Sequence, residues 1–242
     1  RPRRQRQMCI RDRVKKGGMN LLKVRDDGAG IPSDDIILAL NRHSTSKVYD
    51  LADLNSIRTL GFRGEALSSI ASVSQLTLIS RHSESAWLAK SEGCDTDVSL
   101  RPAAHPKGTT VEVRELFYNT PARRKFLRSE ATEYNNISSC IKRLALSRFD
   151  VKFALTNNDR LRLNLDAASC YLDELERLRV ICGNTFVDNA TYLDNQSANL
   201  RVKGWISSPT FSRSQPDLQY LYVNGRYVKD KTISYAIRQA YQ

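Results

Sequence analysis

The feature that most constrains the fold is an apolar strand that runs directly into a glycine turn and then into a helix. Leu21, Leu22 and Val24 predict a short strand that ends at Arg25, and the sequence Asp-Asp-Gly-Ala-Gly at 26–30 breaks that strand sharply. Residues 32–41 then predict a helix with Ser33 as its N-cap and two aspartates in the first turn. This order places a carboxylate and flexible backbone at the end of a sheet.

Apolar residues at every second position predict an antiparallel sheet beyond this helix. A helix after Gly64, a long helix from Ser129 to about Phe149 and a hairpin around an Asn-Asn-Asp turn complete the pattern. The predicted strands lie at 76–81, 87–89, 98–100, 109–113, 151–155 and 161–165. The pattern predicts the α+β class, with a mixed, mostly antiparallel sheet that carries helices on one face.

A domain boundary is expected near residue 170. After it, the sequence predicts a helix capped by Gly183, a polar and turn-rich stretch at 189–198, and two strands that precede an Asn224-Gly225 turn and a final helix. Residues 171–242 are therefore predicted to form part of a second α+β domain.

The charge of the chain is uneven. Its formal net charge is +12, and residues 1–13 contribute +5 of it through six arginines and one aspartate, which leaves +7 for the rest. Because residues 1–13 show no apolar periodicity, we predict that they are a non-native or unstructured extension. The remaining excess favours a polyanionic partner such as nucleic acid, although a solvated cationic surface explains it equally well.

Several functional classes are disfavoured by composition. No apolar run approaches the roughly 18 residues of a membrane span, and no signal peptide is recognisable, so a cytoplasmic protein without membrane contact is expected. Five widely spaced cysteines suggest neither disulfides nor a zinc site, and three isolated histidines suggest no catalytic role. The aromatic residues Phe117, Tyr118 and Phe126 are predicted to lie in the core.

Three glycine segments together predict a nucleotide site. Asp26 can accept the amino proton of adenine while Gly28 and Gly30 let a purine approach the backbone. Residues 61–67 carry two glycines before a helix whose free N–H groups can hold phosphate. At 108–110 a threonine hydroxyl can bridge to Asp26. Taken singly, each segment is explained as well by structure alone: a turn, a helix cap and a plain strand.

Five motifs in this order resemble the MutL family, a branch of the superfamily that also contains gyrase, heat-shock chaperones and histidine kinases: RDDGAGI, RHSTSK, GFRGEALSSIASVS, GTTVEV and FYNTPARRKFL. GFRGEAL and NTPARRKFL are characteristic of the family. YLYVNGRYVKD also resembles its second domain. The resemblance covers residues 14–242 and implies a truncated ATP-binding domain of the superfamily type at 14–170, followed by part of a ribosomal-protein-like, transducer-type domain.

The resemblance also implies a bacterial DNA mismatch repair function with ATP and magnesium as cofactors. Asp26 is the implied adenine ligand, Thr109 supports it through hydrogen bonding, and two segments form a lid over the triphosphate. The implied nucleotide-binding residues are Asp26, Gly28, Gly30, Ser44, Thr45, Ser46, Lys47, Gly61, Arg63, Gly64, Glu65, Ala66, Leu67 and Thr109. Asp27 occupies a position at which many relatives have asparagine.

The family's partners follow from the same resemblance. ATP binding is implied to drive homodimerisation and to couple a MutS-like mismatch recognition protein to a downstream nuclease or helicase. DNA is implied to bind without sequence preference, so that affinity falls steeply with salt. The residues that we predict to contact its phosphates are Lys229, Lys231, Arg226 and Arg238.

Catalytic residues of the family are expected outside this sequence. The general-base glutamate and the magnesium-holding asparagine are expected upstream of Val14, and a phosphate-binding lysine beyond Gln242. We therefore expect a parent ATPase and a fragment that hydrolyses ATP poorly or not at all. The alternatives are a non-hydrolysing, nucleotide-switched scaffold and another ATPase of the superfamily, such as a chaperone or a type II topoisomerase subunit.

Overall fold

An eight-stranded mixed sheet dominates the computed structural model, which describes residues 7–41, 64–93, 98–198, 200–209 and 218–240. Its strand order is β5-β4-β3-β6-β2-β1-β7-β8, and β1 and β7 run parallel whereas the other registered pairs are antiparallel. The strands are β1 (Cys9–Lys15), β2 (Leu21–Asp26), β3 (Gln75–Arg81), β4 (Ala86–Glu92), β5 (Ser99–Ala103), β6 (Gly108–Arg114), β7 (Lys152–Asn157) and β8 (Arg160–Leu165). The predicted α+β class with a mostly antiparallel sheet is confirmed.

The first two described helices pack against this sheet. The described helices are α1 (Ser33–Leu40), α2 (Ala66–Ala71), α3 (Pro121–Arg124), α4 (Glu130–Ser147), α5 (Tyr171–Cys182), α6 (Asn184–Asp188) and α7 (Lys231–Ala240), with a 3₁₀ turn at Lys16–Gly18. Ile36, Leu40 and Ala71 from the first two helices share a buried cluster with Leu76 and Leu78 of β3. Within the described ranges, no helix is long and apolar enough to cross a membrane.

Local chemistry explains where most elements begin and end. Ser129 Oγ accepts the Thr132 amide at 3.3 Å and so caps α4, as predicted. Gly183 ends α5 with a φ of 90°, and its amide donates to the Arg179 carbonyl at 2.9 Å. The prediction for Ser33 is wrong, because Pro32 occupies the N-cap position of α1 and the Ser33 hydroxyl donates to Asp34 instead.

The prediction that residues 1–13 are unstructured or foreign to the fold is wrong for its described part. Residues 9–13 belong to β1, an interior strand that pairs with β2 on one side and with β7 on the other. Cys9 is 6% exposed and Val14 is fully buried. Two arginines and an aspartate obscure the alternation of a strand in this sequence. The segment nevertheless forms a strand because pairing with a neighbour on each side outweighs its local polarity.

Asp12 is a buried carboxylate on this interior strand. It lies opposite Val24 of β2 and Leu155 of β7, and is 8% exposed. Its carboxylate has no hydrogen bond or ion pair with another described side chain or backbone group. Burial therefore raises the pKa of the Asp12 carboxyl from 3.8 to about 6.

Asp12→Asn is expected to raise the free energy of unfolding at pH 7.5 by about 2–3 kcal/mol, since one pKa unit corresponds to about 1.4 kcal/mol. The Asp12 carboxyl holds its proton more tightly in the native state than in the unfolded chain. The parent protein therefore matches Asp12→Asn in free energy of unfolding below about pH 4 and falls behind it as the pH rises through about 6. Urea titrations of both proteins at pH 7.5 and pH 4 measure this difference. The difference should vanish at pH 4. The control Asp34→Asn, at an exposed carboxylate, should not raise the free energy of unfolding at either pH. Equal stability of Asp12→Asn and the parent at pH 7.5 would show that the Asp12 charge does not destabilise the fold.

The chain divides into two compact units. The first consists of Arg1–Ile141 and Val151–Asn164, and the second of Lys142–Asp150 and Leu165–Gln242. The second unit contains two hairpins, whose strands are β9 (Ala190–Ser197), β10 (Leu200–Ser207), β11 (Leu221–Val223) and β12 (Arg226–Val228). Residues 190–197 therefore form a strand, and the prediction of a turn-rich stretch at 189–198 is wrong. This strand pairs with β10 along its whole length, and Tyr192 packs on Trp205 of β10 at 5.1 Å between ring centroids.

Arg177 organises the core of the second unit. It is 3% exposed, and its guanidinium donates to the carbonyl oxygens of Ala145 at 3.0 Å, Arg148 at 2.9 Å and Asp166. The same group lies 5.5 Å from the centre of the Phe149 ring. Desolvation lowers the pKa of Arg177, while the negative charges of Asp150, Asp166 and Glu174 oppose that shift.

The aromatic residues near residue 120 do not all lie in the core. Phe117 and Tyr118 are half-buried, but Phe126 is 85% exposed, so the prediction that it belongs to the core is wrong. Phe126 lies just after the four-residue helix α3, which is too short to bury a side chain on its own surface.

Candidate nucleotide-binding site

The site is built around the carboxylate of Asp26, the last residue of β2. Its Oδ1 accepts the amide of Gly28 at 2.9 Å and the amide of Thr109 at 3.3 Å. These bonds fix the carboxylate where three chain segments meet. The other oxygen, Oδ2, has no hydrogen-bond partner among the described residues and is available to a ligand donor.

A fully buried serine ties these segments together. Ser80, near the end of β3, accepts the amide of Ile31 at 2.8 Å, and its hydroxyl lies 3.2 Å from the Gly108 carbonyl and 2.9 Å from Thr109 Oγ1. The Thr109 hydroxyl thus faces Ser80, and Thr109 supports Asp26 through its backbone amide rather than through the predicted hydroxyl contact. Ser80 follows Leu76 and Leu78 at the same two-residue spacing, so the strand pattern alone predicts that its hydroxyl lies on the buried face of β3.

Two glycines allow the backbone segments to approach this closely. Gly30 has a φ of 80° and Gly108 a φ of 119°, both in the region that favours glycine. A Cβ at Gly30 would overlap the carbonyl of Arg81, and one at Gly108 would overlap the carbonyl of Asp26. Close packing of the turn at 28–30 against β3 and β6 therefore depends on these positions.

Asp27 has a structural contact that sequence reasoning missed. Its Oδ1 accepts the amide of Cys9 at 2.7 Å, at the first residue of β1. Asp27 therefore anchors the start of an interior strand next to the Asp26 carboxylate. Asparagine also offers a carbonyl oxygen for this bond, so both residue types suit the position.

Two histidines flank the cluster. His82 Nδ1 lies 3.1 Å from the Ala29 carbonyl, next to Gly30. His105 Nδ1 lies 2.6 Å from the Pro106 carbonyl, and Nε2 lies 2.7 Å from Thr110 Oγ1. Burial lowers the pKa of His105; the hydrogen bond with the Pro106 carbonyl opposes this shift, and the positive charge of Arg25 adds to it.

The other predicted nucleotide-binding residues divide into two groups. Gly64, with a φ of 65°, and Glu65 immediately precede α2, and Ala66 and Leu67 are its first two residues. The remaining predicted ligands lie outside the described residues: Ser44, Thr45, Ser46, Lys47, Gly61 and Arg63. The structure thus brings together Asp26, Gly28, Gly30 and Thr109, which form the base-binding half of the predicted site.

The predicted DNA-contacting residues lie in the second unit. Arg226 lies in β12, Lys229 directly follows it, and Lys231 and Arg238 lie in α7. All four are exposed. Asp230 caps α7 by accepting the Ile233 amide at 2.9 Å. The carboxylate between the two lysines is therefore engaged with backbone.

Comparisons with known proteins agree with this arrangement. The sequence profile described as "DNA mismatch repair protein, C-terminal domain" matches residues 178–242. The MutL protein of Cellvibrio japonicus is 53% identical over 231 residues, which are 95% of this chain and 37% of that protein. The MutL protein of Azotobacter vinelandii is 52% identical over the same length, with 95% of this chain and 36% of the relative covered. The chain belongs to the MutL family.

Solved structures place the MutL-family chain in the same fold. The ADP complex of the Aquifex aeolicus MutL ATPase domain superposes with a TM-score of 0.69 at 26% identity, covering 96% of this chain and 79% of that one. The N-terminal domain of a DNA repair protein gives a TM-score of 0.75 at 25% identity, with 96% and 72% covered. The chain spans little more than a third of the length of the curated MutL relatives above, 36–37%.

Proposed function

We propose that this MutL-family chain binds the adenine base of ATP at Asp26 and serves in DNA mismatch repair. The observation that carries the proposal is the Asp26 carboxylate, whose Oδ1 is saturated by two backbone amides while Oδ2 has no partner among the described residues. Adenine presents an amino donor of the matching kind. Gly28 and Gly30 let the turn pack closely around this carboxylate, since a Cβ at Gly28 would meet Asp26 Oδ1 at 2.9 Å and one at Gly30 would overlap the Arg81 carbonyl.

The phosphate half of the proposal rests on family resemblance. In it, residues 44–47 and 61–67 close over the triphosphate, and the free N–H groups at the start of α2 face phosphate oxygens. The Aquifex relative, an ATPase domain complexed with ADP, supports nucleotide binding by this fold. Magnesium is part of the proposal as the family's counterion for the phosphates, for which it supplies charge neutralisation when bound.

For the whole protein we propose an ATPase that dimerises on ATP binding. In this role it connects a MutS-like mismatch recognition protein to a downstream nuclease or helicase on DNA. Calorimetric titration with ADP, a non-hydrolysable ATP analogue and GDP tests the nucleotide step. The expected result is saturable adenine nucleotide binding with GDP at least about 10-fold weaker, since guanine presents a carbonyl oxygen where adenine presents its amino group. Equal affinities would remove Asp26 from base recognition.

DNA binding is proposed at Lys229 and Lys231, with Arg226 and Arg238 as flanking contacts. The support is the exposure of all four cations, together with the hydrogen bond that holds Asp230 in the α7 cap and not in an ion pair with either lysine among the described residues. Such contacts bind phosphate without reading sequence.

Lys229→Gln combined with Lys231→Gln is expected to weaken duplex DNA binding and to reduce the slope of log affinity against log salt by about 1 for each lysine. Fluorescence anisotropy of a labelled duplex across a sodium chloride series measures both. Lys203→Gln, an exposed lysine in β10 of the same unit, is the matched control and should leave the slope within error. An unchanged slope in the double variant would exclude these lysines from the DNA contact.

A further inference from the structure

A fully buried hydroxyl group, that of Ser80, belongs to the same row of side chains as Asp26. Ser80 pairs directly with Thr109 across β3 and β6. Strands β2 and β6 pair in the register of Arg25 with Thr110. The next residues along these two strands are Asp26 and Thr109, on the face that also carries Ser80. One row of polar side chains therefore runs across three strands and ends at the carboxylate.

The Ser80 hydroxyl has one proton and three polar neighbours. It accepts the Ile31 amide at 2.8 Å, and it lies 3.2 Å from the Gly108 carbonyl and 2.9 Å from Thr109 Oγ1. A carbonyl oxygen cannot donate, so a hydrogen bond to Gly108 uses the Ser80 proton. The Thr109 hydroxyl must then donate to Ser80. Only this arrangement satisfies all three contacts at once, and burial makes a lost hydrogen bond costly.

The direction of these bonds determines what Thr109 offers to a ligand. Thr109 is half-buried, whereas Ser80 is fully buried. Because its proton is committed to Ser80, Thr109 Oγ1 has only lone pairs to offer on its open side. Asp26 Oδ2 is likewise an acceptor, and it has no partner among the described residues. This row of side chains therefore presents two acceptors to a bound ligand.

We propose that Ser80 is a positioning residue for base recognition, which takes the Thr109 proton and so makes Thr109 Oγ1 a second acceptor beside Asp26. This role rests on the proposed binding of adenine at Asp26. A 6-amino group of a purine supplies donors to the two acceptors, directly or through one water, whereas a 6-oxo group faces them with a third acceptor. Ser80 thereby favours a 6-amino purine without contacting the base.

Ser80 also holds one end of the glycine turn. Asp26 Oδ1 accepts the amide of Gly28, and Ser80 accepts the amide of Ile31 at the other end. Loss of the Ser80 hydroxyl is therefore expected to loosen the turn and to weaken the binding of every nucleotide. Only a change in the preference between two bases reports on the Thr109 hydroxyl.

Calorimetric titration of Ser80→Ala with ATP and with inosine triphosphate, a 6-oxo purine nucleotide, tests this role. Removal of the acceptor frees the Thr109 hydroxyl to rotate and to donate to the 6-oxo group. The preference for ATP is expected to fall about 3- to 10-fold, the effect of one neutral hydrogen bond. In a Thr109→Val background, which has no hydroxyl to rotate, Ser80→Ala should leave the remaining preference unchanged.

Two further variants complete the test. Thr109→Val alone keeps Ser80 and its bonds to the turn, and it should lower the preference for ATP by a similar factor. Ser74→Ala is the matched control, since Ser74 is equally buried but its hydroxyl donates to the Ile70 carbonyl at 2.7 Å, outside the row. This control should keep the parental base preference.

An unchanged preference in Ser80→Ala or in Thr109→Val overturns the positioning role. It is also overturned if Ser80→Ala changes the preference equally with and without the Thr109 hydroxyl, because Ser80 then acts by another route. Equal affinity of the parent protein for ATP and inosine triphosphate would instead overturn the proposed adenine recognition at Asp26, and the Ser80 role with it.

Discussion

Replacing Asp26 with asparagine is expected to weaken ATP binding about 10- to 100-fold and to make inosine triphosphate the better ligand. Asparagine keeps the oxygen that accepts the Gly28 and Thr109 amides, so the turn retains its shape. An amide NH2 replaces Oδ2 and opposes the adenine amino group with a second donor. A hydrogen bond to a charged group contributes about 1.5–3 kcal/mol, and this range sets the expected loss.

Calorimetric titration of both proteins with ATP and inosine triphosphate measures this change in preference. Inosine carries a carbonyl oxygen at the position of the adenine amino group, and this oxygen can accept a hydrogen bond from the side-chain amide that Asp26→Asn introduces. Asp34→Asn, which neutralises an exposed carboxylate in α1, is the matched control and should keep the parental preference. Uniformly weaker binding of both nucleotides would indicate distortion of the turn instead of altered base recognition.

Arg177→Met is expected to lower the free energy of unfolding of the second unit by about 3–5 kcal/mol. The substitution leaves the carbonyl oxygens of Ala145, Arg148 and Asp166 without their buried donor. It also removes the cation above the Phe149 ring. Truncation of a buried arginine whose terminal nitrogens hold three carbonyl oxygens costs more than an exposed ion pair contributes.

Tryptophan fluorescence in urea can follow this unit alone. In a Trp87→Phe background only Trp205 reports, and it packs on Phe149 at 5.6 Å. Arg179→Met, two residues away and exposed, removes a weak ion pair with Asp188 and should cost less than about 1 kcal/mol. Similar losses in the two variants would show that Arg177 does not organise the core.

Sequence patterns predicted the structure correctly where interactions between residues close in sequence determine it. The turn after β2, the Ser129 cap of α4 and the Gly183 cap of α5 each follow from short-range backbone chemistry. The alternation of Leu76 and Leu78 likewise defines the buried face of β3. Patterns of this kind predicted the fold class and the residues that cluster around Asp26.

Long-range contacts explain what the patterns missed. β1 is polar by sequence, yet β2 and β7 pair with it on both sides, and Asp27 holds its first amide. Ser80 and Thr109 lie 29 residues apart, so their hydrogen bond leaves no periodic signal. The buried role of Arg177 depends on carbonyl groups that only the folded second unit brings together.

The measurement that tests the central claim most directly is a crystal structure of this chain with ADP. The account predicts the adenine amino nitrogen at about 2.7–3.2 Å from Asp26 Oδ2, with the base lying against the glycines of the turn. ADP bound elsewhere, or adenine bound without a contact to Asp26, would contradict it.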